Sequence, residues 1–171
     1  SYITLEQNMC SDNSEAGIIY WANGGGVARG NDCSRNAVGI SILGEAQPNL
    51  EQNTCAENEV AGIIYRFNGG GEARRNKCSG NMAGILVHDQ SQPVLEANIC
   101  NDNETVGIGV ADQAEPALEG NICTDNGTSG IMYLDRTGGS AYDNQCKRNR
   151  SGIEVSDGAR PTLVANVLSL I

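Results

Sequence analysis

The sequence predicts an all-β protein: a parallel β-helix solenoid of about seven coils, each with 22 or 23 residues and three short strands. Three observations predict it: a cysteine that recurs once per coil, an asparagine on either side of each cysteine, and a Gly-Ile pair that opens the next strand. A propeller blade would need about 40 residues, and the leucine-rich repeat signature is absent. The 22 glycines and abundant asparagine also argue against a helical bundle.

The cysteines give the period of the repeat. They follow one another at intervals of 23, 22, 23, 22, 23 and 23 residues: Cys10, Cys33, Cys55, Cys78, Cys100, Cys123 and Cys146. Side chains at one register point in one direction, and a thiol packs like a small hydrophobic group. Because the eighth repeat has Leu168 at this position, we expect an inward column of free, reduced thiols. Such thiols favour a reducing compartment, hence an intracellular protein.

Two asparagine columns flank the cysteines. One lies two residues before each cysteine and the other three residues after it, and together they hold 15 of the 19 asparagines once Asn166 of the eighth repeat is counted. Amides stacked at the strand spacing of about 4.8 Å can hydrogen-bond along the axis as a ladder. Asn also tolerates the left-handed backbone conformation that sharp bends require. The columns therefore predict two Asn ladders, with the asparagines themselves forming the bends.

The segments that begin with Gly-Ile divide the coils into two types. Three coils have a Tyr three residues after the Gly, then a Gly-rich turn and an Ala; the other four have Ile or Val, a turn with Pro, and a Leu. A large residue on one wall is thus matched by a small one opposite, which keeps the cross-section of the coil filled. The three tyrosines are Tyr20, Tyr65 and Tyr133.

The repeat Pro-x-Leu-x-x-Asn-x-Cys-x-x-Asn-x(2,3)-Gly-Ile-x-Val resembles the right-handed parallel β-helix repeat of the pectate-lyase-like superfamily. It is similar to the carbohydrate-binding and sugar-hydrolysis repeats of periplasmic copper-maturation β-helix proteins and of F-box-only substrate receptors. The Gly-rich turn that ends at Gly71 and the turn that contains Pro93 resemble those of the F-box-only receptors in particular. The resemblance runs from Leu5 to Leu168. It implies a right-handed β-helix but leaves the activity open, because the superfamily includes lyases, epimerases, hydrolases and binding scaffolds.

An outward apolar strip is the leading candidate for a binding surface. If Ile18 and Tyr20 face inward, the period of two places Ile19 and Trp21 outside. Trp with Arg is the usual pairing at interaction hot spots, and the Gly-rich turns beside the strip would let a partner's backbone approach closely. The sequence thus favours a non-catalytic scaffold that presents this strip to a protein or a glycan. The predicted binding face contains Trp21, Leu43, Arg66, Phe67, His88 and Leu134.

The alternative is a Ca²⁺-dependent polysaccharide lyase or related enzyme acting on acidic glycans. Resemblance to the superfamily's lyases implies acidic Ca²⁺ ligands on successive coils, and Asp89, Asp112 and Asp135 recur five residues after each Gly, a column that Asp157 continues. Asp also commonly ends strands and begins turns, so a structural role is the simpler interpretation. No other cofactor is expected. The segment at His88, the only histidine, departs from the Asp-Pro-His motif of the epimerases.

Charge and length limit the partners. Eleven basic against 21 acidic residues give a net charge of -10, which excludes nucleic acid. No apolar run approaches the length of about 20 residues that spans a membrane. We interpret residues 1–171 as a single β-helix domain excised from a longer chain, and its open strand edges predict end-to-end self-association.

Overall fold

The computed structural model describes residues 1–171 and confirms an all-β solenoid of about seven turns, with 21 strands in three parallel sheets. The Gly-Ile sheet consists of β2 (Ala16–Tyr20), β4 (Val38–Leu43), β7 (Ala61–Arg66), β10 (Ala83–Val87), β13 (Val106–Val110), β16 (Ser129–Tyr133) and β19 (Ser151–Val155). The Leu-Ala sheet consists of β1 (Tyr2–Glu6), β3 (Gly25–Arg29), β5 (Gln47–Glu51), β8 (Glu72–Arg74), β11 (Val94–Glu96), β14 (Ala117–Glu119), β17 (Ser140–Tyr142) and β20 (Thr162–Val164). The Cys sheet consists of β6 (Thr54–Ala56), β9 (Lys77–Ser79), β12 (Ile99–Asn101), β15 (Ile122–Thr124), β18 (Gln145–Lys147) and β21 (Val167–Ser169).

Equivalent residues of successive coils pair directly. Cys78 is opposite Cys100 in the Cys sheet, and Ile63 is opposite Ile85 in the Gly-Ile sheet. This register makes each sequence column a straight row of side chains along the axis, as a right-handed parallel β-helix requires. The structure contains no helix that is long and apolar enough to cross a membrane.

The core is one continuous cluster of 26 buried residues. Both predicted coil types fill it: Tyr65 is buried with Ala73 in one coil, and Val87 with Leu95 in the next. The predicted matching of a large residue on one inner wall with a small residue on the opposite wall is therefore present. The hydroxyl groups of all three core tyrosines have no hydrogen-bond partner, and burial raises the pKa of Tyr65 well above its usual value.

The cysteines form the predicted stack on the inner wall of the Cys sheet. Six of the seven thiols are buried, Cys10 in the first coil is half-buried, and none is in a disulfide. A hydrogen bond to Cys55 together with burial raises the pKa of the Cys33 thiol. Because six of the thiols are buried and out of reach of reagents, they are predicted to be inert toward modification in the folded protein.

Both Asn ladders are present, and most of their Nδ2 groups donate two hydrogen bonds. Asn76, for example, donates from its backbone N and its Nδ2 to Asn98 Oδ1, each at 3.0 Å, and from Nδ2 to the Leu50 carbonyl, also at 3.0 Å. Its own Oδ1 accepts the two equivalent bonds from Asn53. The expectation that the asparagines form the bends is wrong, because the left-handed residue is the one before each, such as Arg75 with φ 54°.

Glycine is required where coils approach most closely. A Cβ on Gly39 would lie 2.4 Å from the Gly62 carbonyl oxygen of the next coil. In the Gly-rich turn, Gly71 has φ 85°, and a Cβ there would lie 2.2 Å from the Pro48 carbonyl oxygen. Gly71 therefore accommodates the Pro turn of the neighbouring coil, and the approach of a partner's backbone to the Gly-rich turns stays a prediction.

Candidate functional site

The turn from the Gly-Ile sheet to the Leu-Ala sheet, hereafter the turn edge, is the candidate site. Unlike the other two turns of each coil it has no Asn ladder, and in most coils two consecutive residues adopt the left-handed conformation, as Asp89 and Gln90 do with φ 51° and 62°. This conformation directs polar side chains outward from five successive coils. They line a shallow groove of about 650 Å³ formed by Phe67, Asn68, Asp89, Gln90, Asp112, Gln113, Asp135, Arg136 and Asp157.

Three smaller hollows continue the groove toward the Leu-Ala sheet, each of about 390 to 420 Å³. Further polar side chains line them, namely Gln47, Gln92, Glu115 and Arg160. Beneath the same turns, the buried hydroxyl groups of Ser91 and Thr137 have no hydrogen-bond partner. The turn edge is thus a continuous polar surface with a groove of the size that binds small ligands.

Two of the four aspartates in the groove are already paired with a basic side chain of the preceding coil. Arg66 Nε lies 3.0 Å from Asp89 Oδ2, and His88 Nδ1 lies 2.8 Å from Asp112 Oδ2. Asp135 and the equivalent aspartate of the last coil, Asp157, are exposed and have no ion pair. No three His, Cys, Asp or Glu side chains converge closely enough to hold a metal ion. The structure therefore does not assemble Asp89, Asp112 and Asp135 into a Ca²⁺-binding set, and Ca²⁺ binding stays a prediction.

The groove has an aromatic end. The Arg66 guanidinium lies 4.8 Å from the centroid of the Phe67 ring, and nearly half of the Phe67 side chain is exposed. An ionised carboxylate only accepts hydrogen bonds, so the contact between His88 and Asp112 places the proton on Nδ1 and leaves Nε2 as the free acceptor of the ring. Arg66, Phe67 and His88 of the predicted binding face therefore lie together at this end.

The other members of the predicted binding face follow the border between the Gly-Ile sheet and the turn edge. Leu43 pairs with Arg66 and is half-buried, and Trp21 lies one coil further, with 65% of its surface exposed. Leu134 lies two coils beyond His88, separated from it by Ala111, which is buried. The face is thus one line of side chains, and its apolar part is strongest at the Trp21 end.

The row formed by the second residue of the turn edge was not predicted from the sequence. Gln90, Gln113 and Arg136 each follow an aspartate of the column directly, and all three line the groove. A signal was available, because Asn68, Gln90, Gln113 and Arg136 recur at the same interval of 22 or 23 residues as the cysteines. The two Asn ladders already account for the structural polar positions of the repeat. A further position that is polar in these four coils therefore indicates an additional row of exposed side chains.

Comparison with protein families gives one match, to the family described as periplasmic copper-binding protein (NosD), over residues 3–169. The chain belongs to the NosD family. Comparison with curated proteins gives no match. This family assignment confirms the predicted relationship to periplasmic copper-maturation β-helix proteins.

Among solved structures, the NosD-family chain is similar to the periplasmic alginate epimerase AlgG. The two share 20% sequence identity with a TM-score of 0.85, over 95% of this chain and 44% of AlgG. A double mutant of the same epimerase gives a TM-score of 0.89 at 19% identity, over 99% of this chain and 46% of that chain. The likeness shows a common fold, and this chain spans less than half the length of AlgG.

The expectation of an intracellular protein is wrong. The NosD family is described as periplasmic, and so is AlgG, which together point to an extracytoplasmic location. Free thiols do not indicate a reducing compartment here, because burial by itself protects them from oxidants. Their retention reflects the dry core of the solenoid and says nothing about the redox state of the compartment.

Copper does not fit the donor atoms of this chain. Thiolate, thioether and imidazole groups are the usual protein ligands of copper. Here the thiols face the core at one per coil, His88 is the only imidazole, and its Nδ1 is bonded to Asp112. No three His, Cys, Asp or Glu side chains converge closely enough to hold a metal ion. The thiol and imidazole groups of this member of the NosD family therefore do not form a copper site.

Proposed function

We propose that this NosD-family chain is a glycan-binding scaffold whose turn edge holds an extended oligosaccharide along the solenoid axis. The observation that carries the proposal is the groove with Phe67 at one end and a carboxylate or carboxamide from every coil along its length. Sugar hydroxyl groups both donate and accept hydrogen bonds, and side chains such as Asp112 and Gln113 offer the complementary groups. An exposed ring such as Phe67 can stack on the apolar face of a sugar.

The spacing of the coils supports an extended ligand. Successive polar residues, such as Asp112 and Asp135, are related by the strand spacing of about 4.8 Å. One pyranose ring in an extended polysaccharide advances by a similar distance, so each sugar would meet an equivalent pair of side chains. The structural likeness to AlgG, an alginate epimerase, is consistent with a carbohydrate ligand.

The exposed side chains of Ile19 and Trp21 would extend this surface. Trp21 and Ile19 are half or more exposed on the outer side of the Gly-Ile sheet, next to the first coils of the turn edge. A ligand longer than the groove would reach them after passing Leu43. We therefore expect Phe67 to contribute more to binding than Trp21, which reverses the order that the sequence suggested.

A panel of immobilised oligosaccharides, followed by calorimetric titration of those retained, tests the proposal. Phe67→Ala should weaken binding about tenfold or more, as truncation of an aromatic anchor does. Trp21→Ala should weaken binding less and leave the melting temperature unchanged. Tyr142→Ala removes an equally exposed ring from the Leu-Ala sheet and serves as the control. Equal effects of Phe67→Ala and Tyr142→Ala would contradict the assignment of the groove.

A second candidate is a carbohydrate-active enzyme, favoured by the contact between His88 and Asp112. A carboxylate that holds Nδ1 orients the ring and leaves Nε2 free to accept a proton, which is the arrangement of a general base. The test is turnover of the retained glycan. His88→Gln should abolish turnover while binding persists if this chain is an enzyme, and absence of turnover by the unmodified protein favours the scaffold.

A further inference from the structure

The charges along the turn edge point to the chemical class of the ligand. We infer that the groove selects an uncharged hexose chain and discriminates against polyuronates, an inference that rests on the proposed glycan-binding function. Uronate chains carry a carboxylate on every sugar. In the absence of a bridging metal ion, a groove that binds them presents free cations at a matching interval.

Two basic side chains at the aromatic end of the groove are engaged within the protein. Arg66 Nε pairs with Asp89 at 3.0 Å, and His88 Nδ1 contacts Asp112 at 2.8 Å, so each of these basic groups already faces a carboxylate of the protein. Arg136 is the one remaining cation among the side chains that line the groove, and it lies between two unpaired carboxylates of its own and the next coil, Asp135 and Asp157. The groove therefore keeps an excess of negative charge.

Carboxamides supply most of the remaining hydrogen-bonding groups. Each offers both a donor and an acceptor without charge, which suits hydroxyl groups. They occur on consecutive coils of the turn edge, in the groove and its adjoining hollows: Gln47, Asn68, Gln90, Gln92 and Gln113.

An unpaired buried hydroxyl marks the far end of the same edge. Thr137 is 1% exposed, its Oγ1 has no hydrogen-bond partner, and the residue is among those that line the hollow with Glu115, Arg136 and Arg160. Glu115 and the two arginines alone carry a net charge of +1, and with Asp135 and Asp157, which line the adjoining groove, the sum at this end is -1. Hydrogen bonding to neutral hydroxyl groups thus suits both the centre and the end of the turn edge.

Three oligosaccharides of equal length and identical β-1,4 linkage test the inference by calorimetric titration at low salt. They are an oligomer of glucose, the same oligomer oxidised at C6 to glucuronate, and an oligomer of glucosamine. The glucose oligomer should bind about tenfold or more tightly than the glucuronate oligomer, and added salt should narrow the difference because it screens the repulsion.

Charge-neutralising variants locate the effect. Asp135→Asn combined with Asp157→Asn should raise the affinity for the glucuronate oligomer about tenfold and leave that for the glucose oligomer within about twofold. Asp143→Asn is the matched control, because Asp143 is also exposed with a left-handed backbone, φ 54°, but lies on another turn.

The outcomes separate the inference from the function on which it rests. Equal or tighter binding of glucuronate, or tightest binding of glucosamine, would overturn the inference while glycan binding stands. Absence of binding by all three oligomers would overturn both. The expected order, with Asp143→Asn unchanged, supports both.

Discussion

The three turns of each coil differ in what holds them. At the two turns that flank the Cys sheet, an asparagine of each coil bonds to the asparagines above and below and to a backbone carbonyl, as Asn76 and Asn81 do. At the turn edge no such ladder exists, and the side chains of Asp112 and Gln113 point outward. Two turns therefore fix the stacking of the coils, and the third is free to vary in sequence from coil to coil.

This division explains how a repeat protein can be regular and still carry a site. Buried amides need all their partners, so each ladder position tolerates little besides Asn. Exposed left-handed positions tolerate Asp, Asn, Gln, Arg and even Phe67. Variation at the turn edge then changes the ligand without changing the fold. The comparison is testable because equivalent substitutions can be made at both kinds of turn.

The largest effect is expected when a ladder is interrupted. Asn76→Ala leaves two donors of Asn53 and the Leu50 carbonyl without their partner in the core, and should lower the free energy of unfolding by about 3 kcal/mol or more. Chemical denaturation measures it. Asn49→Ala is the control, since Asn49 lies on a strand with its side chain in no hydrogen bond, and should change stability by less than about 1 kcal/mol.

A smaller but clear loss is expected where a coil contacts its neighbour through glycine. Gly39→Ala forces the carbonyl of Gly62 to move and should cost about 2 kcal/mol. Gly120→Ala is the comparison, because Gly120 has φ 61° but open space where a Cβ would lie. It should cost about 1 kcal/mol, the usual cost of a left-handed alanine. The reverse order would mean that backbone conformation limits the solenoid more than contact between coils does.

Much of this fold could be predicted because each structural column repeats in every coil. The intervals of the cysteines gave the length of the coil, and the replacement of Cys by Leu168 gave the direction of the column. The backbone of the bends could not be predicted, because their left-handed residues vary in type from Gly30 to Arg75 to Ala97. Side-chain identity carries no signal where the backbone alone makes the turn.

The candidate site was only partly predictable for a related reason. Arg66, Phe67 and His88 stood out as large exposed residues, and the structure gathers them at one end of the groove. The pairing of Arg66 with Asp89 depends on a contact between coils, which appears in the sequence only once the coils are stacked in register. The apolar strip drew attention to Trp21, whereas the polar groove follows from the conformation of the turn.

A gain in stability is expected when an unpaired hydroxyl is removed from the core. Tyr65→Phe deletes a buried hydroxyl group that has no partner, and should raise the free energy of unfolding by about 1 kcal/mol. Tyr142→Phe, on the surface of the Leu-Ala sheet, should have no effect. A loss of stability in Tyr65→Phe would show that the hydroxyl is hydrogen-bonded in solution, so that the core contains a polar network besides the Asn ladders.

The smallest effect concerns the outer surface of the ladder turns, where Arg148 bridges to Asp125 of the preceding coil. The hydrogen bond from Arg148 lowers the pKa of Asp125 below its ordinary value. A carboxylate with a lowered folded-state pKa stabilises the protein above its unfolded pKa of about 3.9, and this contribution is lost as the pH falls through the folded value. Asp125→Asn should therefore lower the melting temperature by no more than about 2 °C at neutral pH, because the ion pair is exposed. In strong acid the same substitution should leave the melting temperature unchanged.

The control is Asp143→Asn, which removes a carboxylate without an arginine partner and should show no such dependence on pH. If the melting temperature of Asp125→Asn stays below that of the unmodified protein in strong acid, the effect arises from the backbone of the turn and not from the ion pair. The contrast between rigid ladder turns and a variable turn edge would then extend to their outer surfaces.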